Sequence, residues 1–349
     1  MRIALLTIWH EENYGAELQA YATSKILRKL GHDVQFIDIR LSDISELSFR
    51  GKIGNLLSSL GPSKKKFERF WSKFFVTTIR YHSASELQAN PPIADVYMVG
   101  SDQVWNPEIT RSLSEVFFLN FGPNSVKRIS YASSFGTENW AGNDINEIKQ
   151  LLHRFHSLSC REKSGVQILK NVFGCTATNV LDPTLLFENY EELTGDLKEE
   201  NTLVYYPLSS FPQLSSFAEQ TAHKLGLSVK NANWQTYICG SAIWDRNSIE
   251  GWIKDIAQAK FVITPSFHGL AMSIIHHRQF AVIVANKSRA TRMVSLLDSL
   301  DLSDRIYSSF EELESAKPWE NSIKYDLVDE KLAKLREASI NYLQESLQK

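Results

Sequence analysis

A histidine in the segment FVITPSFHGL stands where an apolar strand pattern passes into a helix. His268 falls in the first turn of that helix, and Ser266 is placed to cap its N-terminus. A helix N-terminus attracts anions, and a histidine beside a bound phosphate dianion is stabilised in its protonated form. The pattern therefore favours a reactive histidine in an anion site, against the alternative of a structural histidine.

A second group of polar residues, GSDQVWNP, follows the apolar strand Val96–Val99. Gly100 permits a tight turn, and Ser101, Asp102 and Gln103 supply several hydrogen-bond donors and acceptors together. Such a mixture suits a hydroxyl-rich substrate, and Asp102 could accept a proton from a sugar hydroxyl. The alternative is that Asp102 caps a helix or a turn.

Two further segments carry candidate binding residues at strand ends. Asn13 and Gly15 in HEENYGAELQAY lie where the first strand meets its helix, although both are also common turn residues. Arg161 follows a short strand in SLSCREKSG, where a guanidinium could hold a carboxylate or phosphate in two hydrogen bonds. A surface ion pair with Glu162 or another acid is the alternative for Arg161.

A basic group follows the strand Phe280–Val284 in NKSRATRMVSLLDSL. Lys287, Arg289 and Arg292 surround the start of a helix, so they predict a second place for an anion, with solvated surface cations as the alternative. The nicotinamide pattern GxGxxG and the P-loop pattern are both absent from the sequence, which argues against a dehydrogenase and a P-loop nucleotidase.

The elements that must position these residues alternate between strand and helix along the whole chain. The opening Arg2–Ile8, Ala16–Leu30 and Val34–Ile39 is a strand–helix–strand unit, which predicts a parallel sheet. We therefore expect an α/β fold with two Rossmann-like, doubly wound parallel-sheet domains facing across a cleft. The predicted divisions are an N-terminal, acceptor-side domain (1–195, with a helical insertion at 42–90), a C-terminal, donor-side domain (196–325) and a C-terminal helix (326–349).

Bulk properties restrict the class of protein. The chain has 349 residues and a formal net charge of −2, so no strong positive field predicts a nucleic-acid partner. Its 3 cysteines form no zinc-like or disulfide pattern, and no apolar run is long enough for a membrane span. We expect a cytoplasmic protein without a metal. The aromatic residues of the insertion could touch a membrane surface, but packing within the protein is the favoured interpretation.

The motifs, taken in order, resemble those of the polysaccharide pyruvyl transferase family. The matching segments span nearly the whole chain and are NYGAELQAYA, GSDQVWNP, ASSFG, SCREKSG, LDPTLLF, ITPSFHGLAMSII and SRATRMVSLLDSLDL. The resemblance implies a fold like that of the two-domain B-type glycosyltransferases. It also implies transfer of the enolpyruvyl group of phosphoenolpyruvate to a sugar, usually as a cyclic ketal, in polysaccharide biosynthesis and without a cofactor.

The resemblance assigns roles to the candidate residues. His268, at the position of the family's motif histidine, would protonate the donor, and Arg161, Arg289 and Arg292 would hold its anionic groups. Asp102 would assist the reaction of the acceptor, and Asn13 and Gln103 would orient that acceptor. Some family members carry an arginine two positions before the histidine, where this chain has Ser266, so donor binding here would use other cations.

Two other functions remain open from the sequence: a glycosyltransferase with a nucleotide-sugar donor, and a non-catalytic protein that binds an anionic glycan. The sequence leaves undecided which acceptor sugar is used, whether it is linked to a lipid, and the oligomeric state.

Overall fold

A computed structural model describes residues 1–41, 62–207, 211–237, 244–285 and 290–348. Contacts between residues divide the chain into two compact units, each made of separate stretches of sequence. Unit 1 comprises Met1–Glu46, Trp71–Phe187 and Ala333–Lys349, and unit 2 comprises Leu47–Phe70 and Glu188–Leu332.

Unit 1 is built on a five-stranded sheet in which every pair of neighbouring strands is parallel. The strand order is β3-β2-β1-β4-β5, so the order reverses between β1 and β4. The inner strands are buried on both faces, which explains their nearly continuous apolar sequences. The strands are β1 (Arg2–Leu6), β2 (Asp33–Ile39), β3 (Thr77–Tyr81), β4 (Val96–Val99) and β5 (Lys127–Ser130), with a short parallel pair of β6 (Ser159–Cys160) and β7 (Thr178–Asn179).

Helices of unit 1 connect these strands. The first follows its cap Asn13 and ends shortly before Gly31, whose positive φ of 86° is typical of a residue that ends a helix. The helices are α1 (Tyr14–Lys29), α3 (Ala84–Ala89), α4 (Pro107–Thr110), α5 (Ser114–Phe117), α6 (Ile145–Leu152), α7 (Lys163–Asn171) and α8 (Pro183–Leu186). A boundary between the units falls within each of two helices, α2 (Pro62–Phe74) and α15 (Tyr325–Leu347).

Unit 2 has its own five-stranded parallel sheet, in the order β14-β13-β12-β8-β9, with the reversal between β12 and β8. The strands are β8 (Thr202–Tyr205), β9 (Ser228–Asn231), β12 (Phe261–Thr264), β13 (Gln279–Ile283) and β14 (Ile306–Tyr307), and β10 (Trp234–Tyr237) pairs antiparallel with β11 (Trp244–Arg246). The helices are α9 (Glu191–Thr194), α10 (Leu214–Leu225), α11 (Ile249–Gln258), α12 (Phe267–Ile275), α13 (Thr291–Ser299) and α14 (Phe310–Ala316).

The α/β class with parallel sheets is confirmed, but the segment 42–90 is not purely helical as predicted. After α2 the chain forms β3, which pairs with β2 at the edge of the sheet. The described phenylalanine, tryptophan and tyrosine side chains of the segment are buried, as packing within the protein requires; they are Phe67, Phe70, Trp71, Phe74, Phe75 and Tyr81. Residues 42–61 lie outside the described residues. In the part of the chain that the structure covers, no helix combines the length and apolarity needed to cross a membrane.

Candidate functional site

The loops that follow β1 and β4 meet at the strand-order reversal of unit 1. The Thr7 hydroxyl donates to the carbonyl of Ser101 over 3.0 Å. The buried amide of Gln19 in turn donates to Thr7 Oγ1 over 2.8 Å and to the carbonyl of Ile8 over 3.0 Å. Two segments that the sequence analysis treated separately are thus joined at the sheet edge where ligands of such folds bind.

The turn after β4 depends on a glycine and buries its serine. Gly100 has a φ of 110°, and a Cβ at this position would lie 2.1 Å from the carbonyl oxygen of Tyr131, so another residue does not fit. Ser101 is fully buried, and its Oγ lies 2.8 Å from Asp182 Oδ2 and 3.1 Å from the carbonyl of Ala132. Ser101 thus makes hydrogen bonds within the protein, and its predicted contact with a ligand stays a prediction.

Arg161 lies in a buried cluster with three acidic residues, and we call Asp102, Arg161, Glu162 and Asp182 the acid–arginine cluster. Nη1 of Arg161 donates to Asp182 Oδ2 over 2.7 Å, and Nη2 donates to Asp102 Oδ1 over 2.9 Å. The Glu162 carboxylate is 3.9 Å from Nε. This is an ion pair with acids, as one of the alternatives held, but it is buried in the interior instead of lying at the surface.

Charge pairing and burial act in opposite directions on Arg161. Burial lowers the pKa of its guanidinium, but the negative charges of Asp102, Asp182 and Glu162 outweigh that effect and raise the pKa above its ordinary value. The Arg161 side chain and those of Glu162 and Asp182 are 0% exposed, whereas that of Asp102 is 14% exposed. Asp102 is therefore the member of the cluster that a ligand could reach.

Asp182 belongs to the motif LDPTLLF, but the sequence predicted no functional role for it. It caps α8, with Oδ1 accepting from the Thr184 N–H over 3.0 Å and from the Thr184 hydroxyl over 2.6 Å. Its Oδ2 meets Ser101 and Arg161, as described above. An aspartate before a proline at a helix start indicates the cap. The contacts with Arg161 and Ser101 could not be predicted from neighbouring residues, because these partners lie 21 and 81 residues away in the sequence.

Gln103 is tied to its own loop. Its backbone N–H donates to Asp102 Oδ1 over 2.8 Å, and its side-chain oxygen accepts from Asn106 Nδ2 over 2.9 Å. A Cβ at Gly136 would lie 1.9 Å from that side-chain oxygen, so the neighbouring loop approaches Gln103 closely. The structure thus gives Gln103 a part in shaping the Asp102 loop, and its predicted contact with an acceptor stays a prediction.

Asn13 and Gly15 occupy the start of α1. The exposed Asn13 accepts from the backbone N–H groups of Gly15 over 3.0 Å and Ala16 over 3.3 Å, which is the geometry of an N-cap. Gly15 is buried in the first turn. The cap explains why Asn13 stands here, and its exposure leaves the predicted role in acceptor binding open to test.

A buried carboxyl beneath the same loop was missed by the sequence analysis. Glu17 is fully buried, and its Oε1 accepts from the backbone N–H of His10 over 3.0 Å. Burial raises the pKa of Glu17 to about 8, whereas burial, aided by the charge of Arg40, lowers the pKa of His10 to about 3. The His10 ring stacks on Trp71 with centroids 3.6 Å apart. A glutamate in the first turn after an asparagine cap was the available signal.

The histidine motif of unit 2 lies at the strand-order reversal of that unit, directly after β12. Ser266 caps α12, its Oγ accepting from Gly269 N–H over 3.4 Å, while its own N–H donates to Thr264 Oγ1 over 3.0 Å. A Cβ at Gly269 would lie 2.5 Å from Thr264 Oγ1, so the glycine permits the close approach of helix and strand.

His268 is 8% exposed and lies in the first turn of α12, as the sequence indicated. Its ring stands nearly perpendicular to that of Phe267, with centroids 5.2 Å apart. The Arg292 guanidinium lies over the Phe267 ring, 5.9 Å from its centroid. Arg292 and His268 thus flank the same aromatic side chain, whereas Lys287 and Arg289 lie outside the described residues.

No group of three or more His, Cys, Asp or Glu side chains within the described ranges is arranged to hold a metal ion. Cys160 and Cys175 are free thiols in the interior, and burial raises the pKa of both. Cys239 lies outside the described residues.

Comparison with known families bears directly on these motifs. A family model described as polysaccharide pyruvyl transferase matches residues 13–287. The match contains the motifs from NYGAELQAYA to ITPSFHGLAMSII and ends before SRATRMVSLLDSLDL, the segment of Arg289 and Arg292. The chain belongs to the polysaccharide pyruvyl transferase family. No match was found among curated proteins.

Several solved structures are similar in fold to this chain. The chain is similar to the UDP-GlcNAc 2-epimerase of Methanocaldococcus jannaschii, with a TM-score of 0.52 and 10% identity over 93% of this chain and 94% of that chain. It is also similar to an α-glucosyltransferase in complex with UDP and a 13-mer DNA, with a TM-score of 0.50 and 11% identity over 98% of this chain and 95% of that chain. For spinosyn forosaminyltransferase SpnP the TM-score is 0.50 and the identity 10%, over 98% of this chain and 95% of that chain. At these identities the likeness establishes the fold, that of B-type glycosyltransferases and related epimerases.

Proposed function

We propose that this member of the family transfers the enolpyruvyl group of phosphoenolpyruvate to a sugar or glycan and forms a pyruvate ketal in polysaccharide biosynthesis. The observation that carries the proposal is the placement of the family's histidine segment at the strand-order reversal of unit 2. There a helix N-terminus, an imidazole and a guanidinium are combined, which suits a donor with a phosphate and a carboxylate.

Donor binding is assigned to unit 2. Arg292 would attract the anionic groups, the capped start of α12 with Ser266 would offer N–H groups, and Arg289 keeps its predicted part in the same segment. A phosphate dianion beside His268 would stabilise the imidazolium. His268 would then donate its proton to the methylene carbon of phosphoenolpyruvate, which forms a C–H bond and leaves positive charge at C2.

Acceptor activation is assigned to Asp102 in unit 1. One sugar hydroxyl bonds to C2 of the donor, and its proton passes to the Asp102 carboxylate. The bond between C2 and the phosphate oxygen then breaks, phosphate leaves with the electron pair, and a second hydroxyl bonds to C2 while its proton passes to water. Asn13 and Gln103, at the same sheet edge, are assigned to orient the acceptor.

Arg161 receives a different part from the one that the sequence suggested. Both of its Nη atoms already donate to buried carboxylates, so binding of a phosphate would require breaking a buried ion pair. We assign it to hold Asp102 and assign the anionic groups of the donor to the cations of unit 2.

The experiment that tests the proposal combines calorimetric titration of phosphoenolpyruvate with acceptor-dependent phosphate release, using mixed glycan acceptors. His268→Gln is expected to fold and to lose about 100-fold or more in kcat. The matched control is His277→Asn, because His277 follows the same helix at its other end and is half exposed. Full turnover by folded His268→Gln would refute the assignment.

A nucleotide-sugar donor is the second candidate, since two of the structures of similar fold were determined with UDP bound. Titration with UDP beside phosphoenolpyruvate separates the two. Saturable binding and stabilisation by UDP, with no response to phosphoenolpyruvate, would favour a glycosyltransferase. Stabilisation by a glycan without turnover of either donor would favour the non-catalytic alternative.

A further inference from the structure

We propose that Asp182 is a positioning residue that acts through Arg161 to fix the carboxylate of Asp102. The inference rests on the proposed function, which assigns the acceptor proton to Asp102. Asp182 is 0% exposed in its side chain, so it touches no substrate and can influence the reaction only through the groups that it holds.

The first step is that Asp182 itself is rigidly placed. The backbone N–H of the preceding residue, Leu181, donates to the buried Ser339 hydroxyl of α15 over 2.9 Å. The Leu181 carbonyl accepts from the Tyr131 hydroxyl over 3.0 Å. The aspartate also caps α8 through Thr184, so strand, helix and C-terminal segment of unit 1 all fix its position.

The second step is that Asp182 fixes the orientation of Arg161. A guanidinium is planar, so a partner on one Nη atom sets the direction of the other. With Nη1 held by Asp182 at 2.7 Å, Nη2 is directed at Asp102 Oδ1 at 2.9 Å. Without Asp182 the guanidinium loses the hydrogen bond on Nη1 that directs Nη2 at Asp102.

The third step is that Arg161 in turn fixes the exposed carboxylate. Asp102 Oδ1 accepts from Arg161 Nη2 and from the backbone N–H of Gln103, two donors that arrive from different elements. A displacement of about 1 Å of a reacting group can lower a rate about 100-fold, so a residue that fixes this carboxylate contributes to turnover without contacting the substrate.

Asp182→Asn is the variant that interrupts this chain of contacts at one point. The asparagine oxygen can keep the cap on Thr184, which places its NH2 group against Arg161 Nη1, donor against donor. Ser101 can adapt, because its hydroxyl also lies within reach of the Ala132 carbonyl. The matched control is Thr184→Val, which removes one hydrogen bond to Asp182 Oδ1 and leaves the charge and the Arg161 contact intact.

Turnover is measured for Asp182→Asn, Asp102→Asn, the double variant and the control, after urea unfolding has shown that each is folded. We expect Asp182→Asn to lower kcat about 10- to 100-fold in the wild-type background and less than about threefold in the Asp102→Asn background. Thr184→Val should lose less than about threefold. Equal losses in both backgrounds would overturn the proposal, because a merely structural role adds independently.

A second measurement needs neither donor nor acceptor, so it separates this inference from the proposed function. The side-chain ¹⁵N resonances of Arg161, identified by their loss in Arg161→Lys, should be resolved and exchange slowly in the wild type. These resonances should merge into averaged signals in Asp182→Asn and should remain resolved in Thr184→Val. Unchanged resonances in Asp182→Asn would overturn the inference even if transfer is observed, whereas a wild type without transfer activity would refute only the function.

If Asp182→Asn does not fold, Ser101→Ala takes its place, since it removes one of the two hydrogen bonds to Asp182 Oδ2 and leaves the charge. A loss of activity that vanishes in the Asp102→Asn background supports the proposal. A loss that persists there contradicts it.

Discussion

The two strand-order reversals of this chain are built in different ways. In unit 1 the acid–arginine cluster collects charged side chains from the ends of two strands and from one helix start, joined across as many as 59 residues. In unit 2 the site is built almost entirely by Thr264 to Gly269, a strand end that turns directly into α12. One site depends on long-range charge pairing, and the other depends on the geometry of a single turn.

The difference implies that the two units have separate roles in substrate binding. A network in which one buried guanidinium joins Asp102 to the buried Asp182 holds the partly exposed Asp102 carboxylate in place, which suits a group that must meet a particular hydroxyl. A helix N-terminus with nearby cations offers positive charge and partial charge that attract an incoming dianion. Specificity for the acceptor would therefore lie in unit 1, and affinity for the donor in unit 2.

The largest effect should come from removing the arginine of each site. Arg161→Met removes the guanidinium that lies between Asp102, Glu162 and Asp182 and should lower the free energy of unfolding by about 3–5 kcal/mol. Arg292→Met, at a half-buried position over Phe267, should lower it by about 1 kcal/mol or less. Urea unfolding of both variants measures the contrast, and equal losses would mean that the cluster in unit 1 is not a stabilising network.

The glycines of the two sites should respond differently to alanine. At Gly100 the added Cβ meets the Tyr131 carbonyl oxygen at 2.1 Å and the backbone is in the left-handed region, so we expect a loss of about 3 kcal/mol. At Gly269 the Cβ meets the Thr264 hydroxyl at 2.5 Å, a side-chain atom that can move, and the loss should be about 1–2 kcal/mol. Thermal unfolding of the two alanine variants measures which loses more stability. A larger loss of stability for Gly269→Ala than for Gly100→Ala would contradict this prediction.

A buried acid in unit 1 should make stability fall as pH rises. Burial raises the pKa of Glu17 to about 8 from 4.5, so the folded state holds a proton that the unfolded state has released. The stabilisation is complete below pH 4.5 and is lost as pH rises through 8. Near pH 9, Glu17→Gln should therefore be more stable than the wild type by roughly 2–4 kcal/mol, with the difference vanishing near pH 4. A difference that does not vary with pH would contradict a neutral buried Glu17.

A buried histidine in unit 2 should have the opposite dependence. Burial, aided by the charges of Arg278 and His277, lowers the pKa of His276 to about 4 from 6.5. Its contribution is complete above pH 6.5 and is lost as pH falls through 4. Relative to His276→Gln, the wild type should lose roughly 2 kcal/mol between pH 7 and pH 4, measured by urea unfolding at each pH. A parallel decline of both proteins would locate the acid sensitivity elsewhere.

What the sequence could predict follows from the range of the contacts involved. The strand Phe261–Thr264 has the predicted bounds, and α12 begins one residue before the predicted start, because apolar periodicity and a serine cap are local signals. The edge strand β3 was not predicted, since its short, partly exposed sequence shows no clear alternation. The surroundings of Arg161 could not be derived either, because its partners Asp102 and Asp182 come together only when three loops meet at the sheet edge.

The smallest effects on stability, and the sharpest separation of the two sites, should come from their helix caps. Asn13 caps α1 in unit 1 and Ser266 caps α12 in unit 2, each through a backbone N–H in the first turn. Alanine at either position should lower the free energy of unfolding by about 1 kcal/mol. If donor and acceptor are bound as proposed, Ser266→Ala raises the KM for phosphoenolpyruvate and Asn13→Ala raises the KM for the acceptor. Steady-state kinetics with each substrate varied in turn tests this, and a rise in the other substrate's KM would reverse the assignment of the two units.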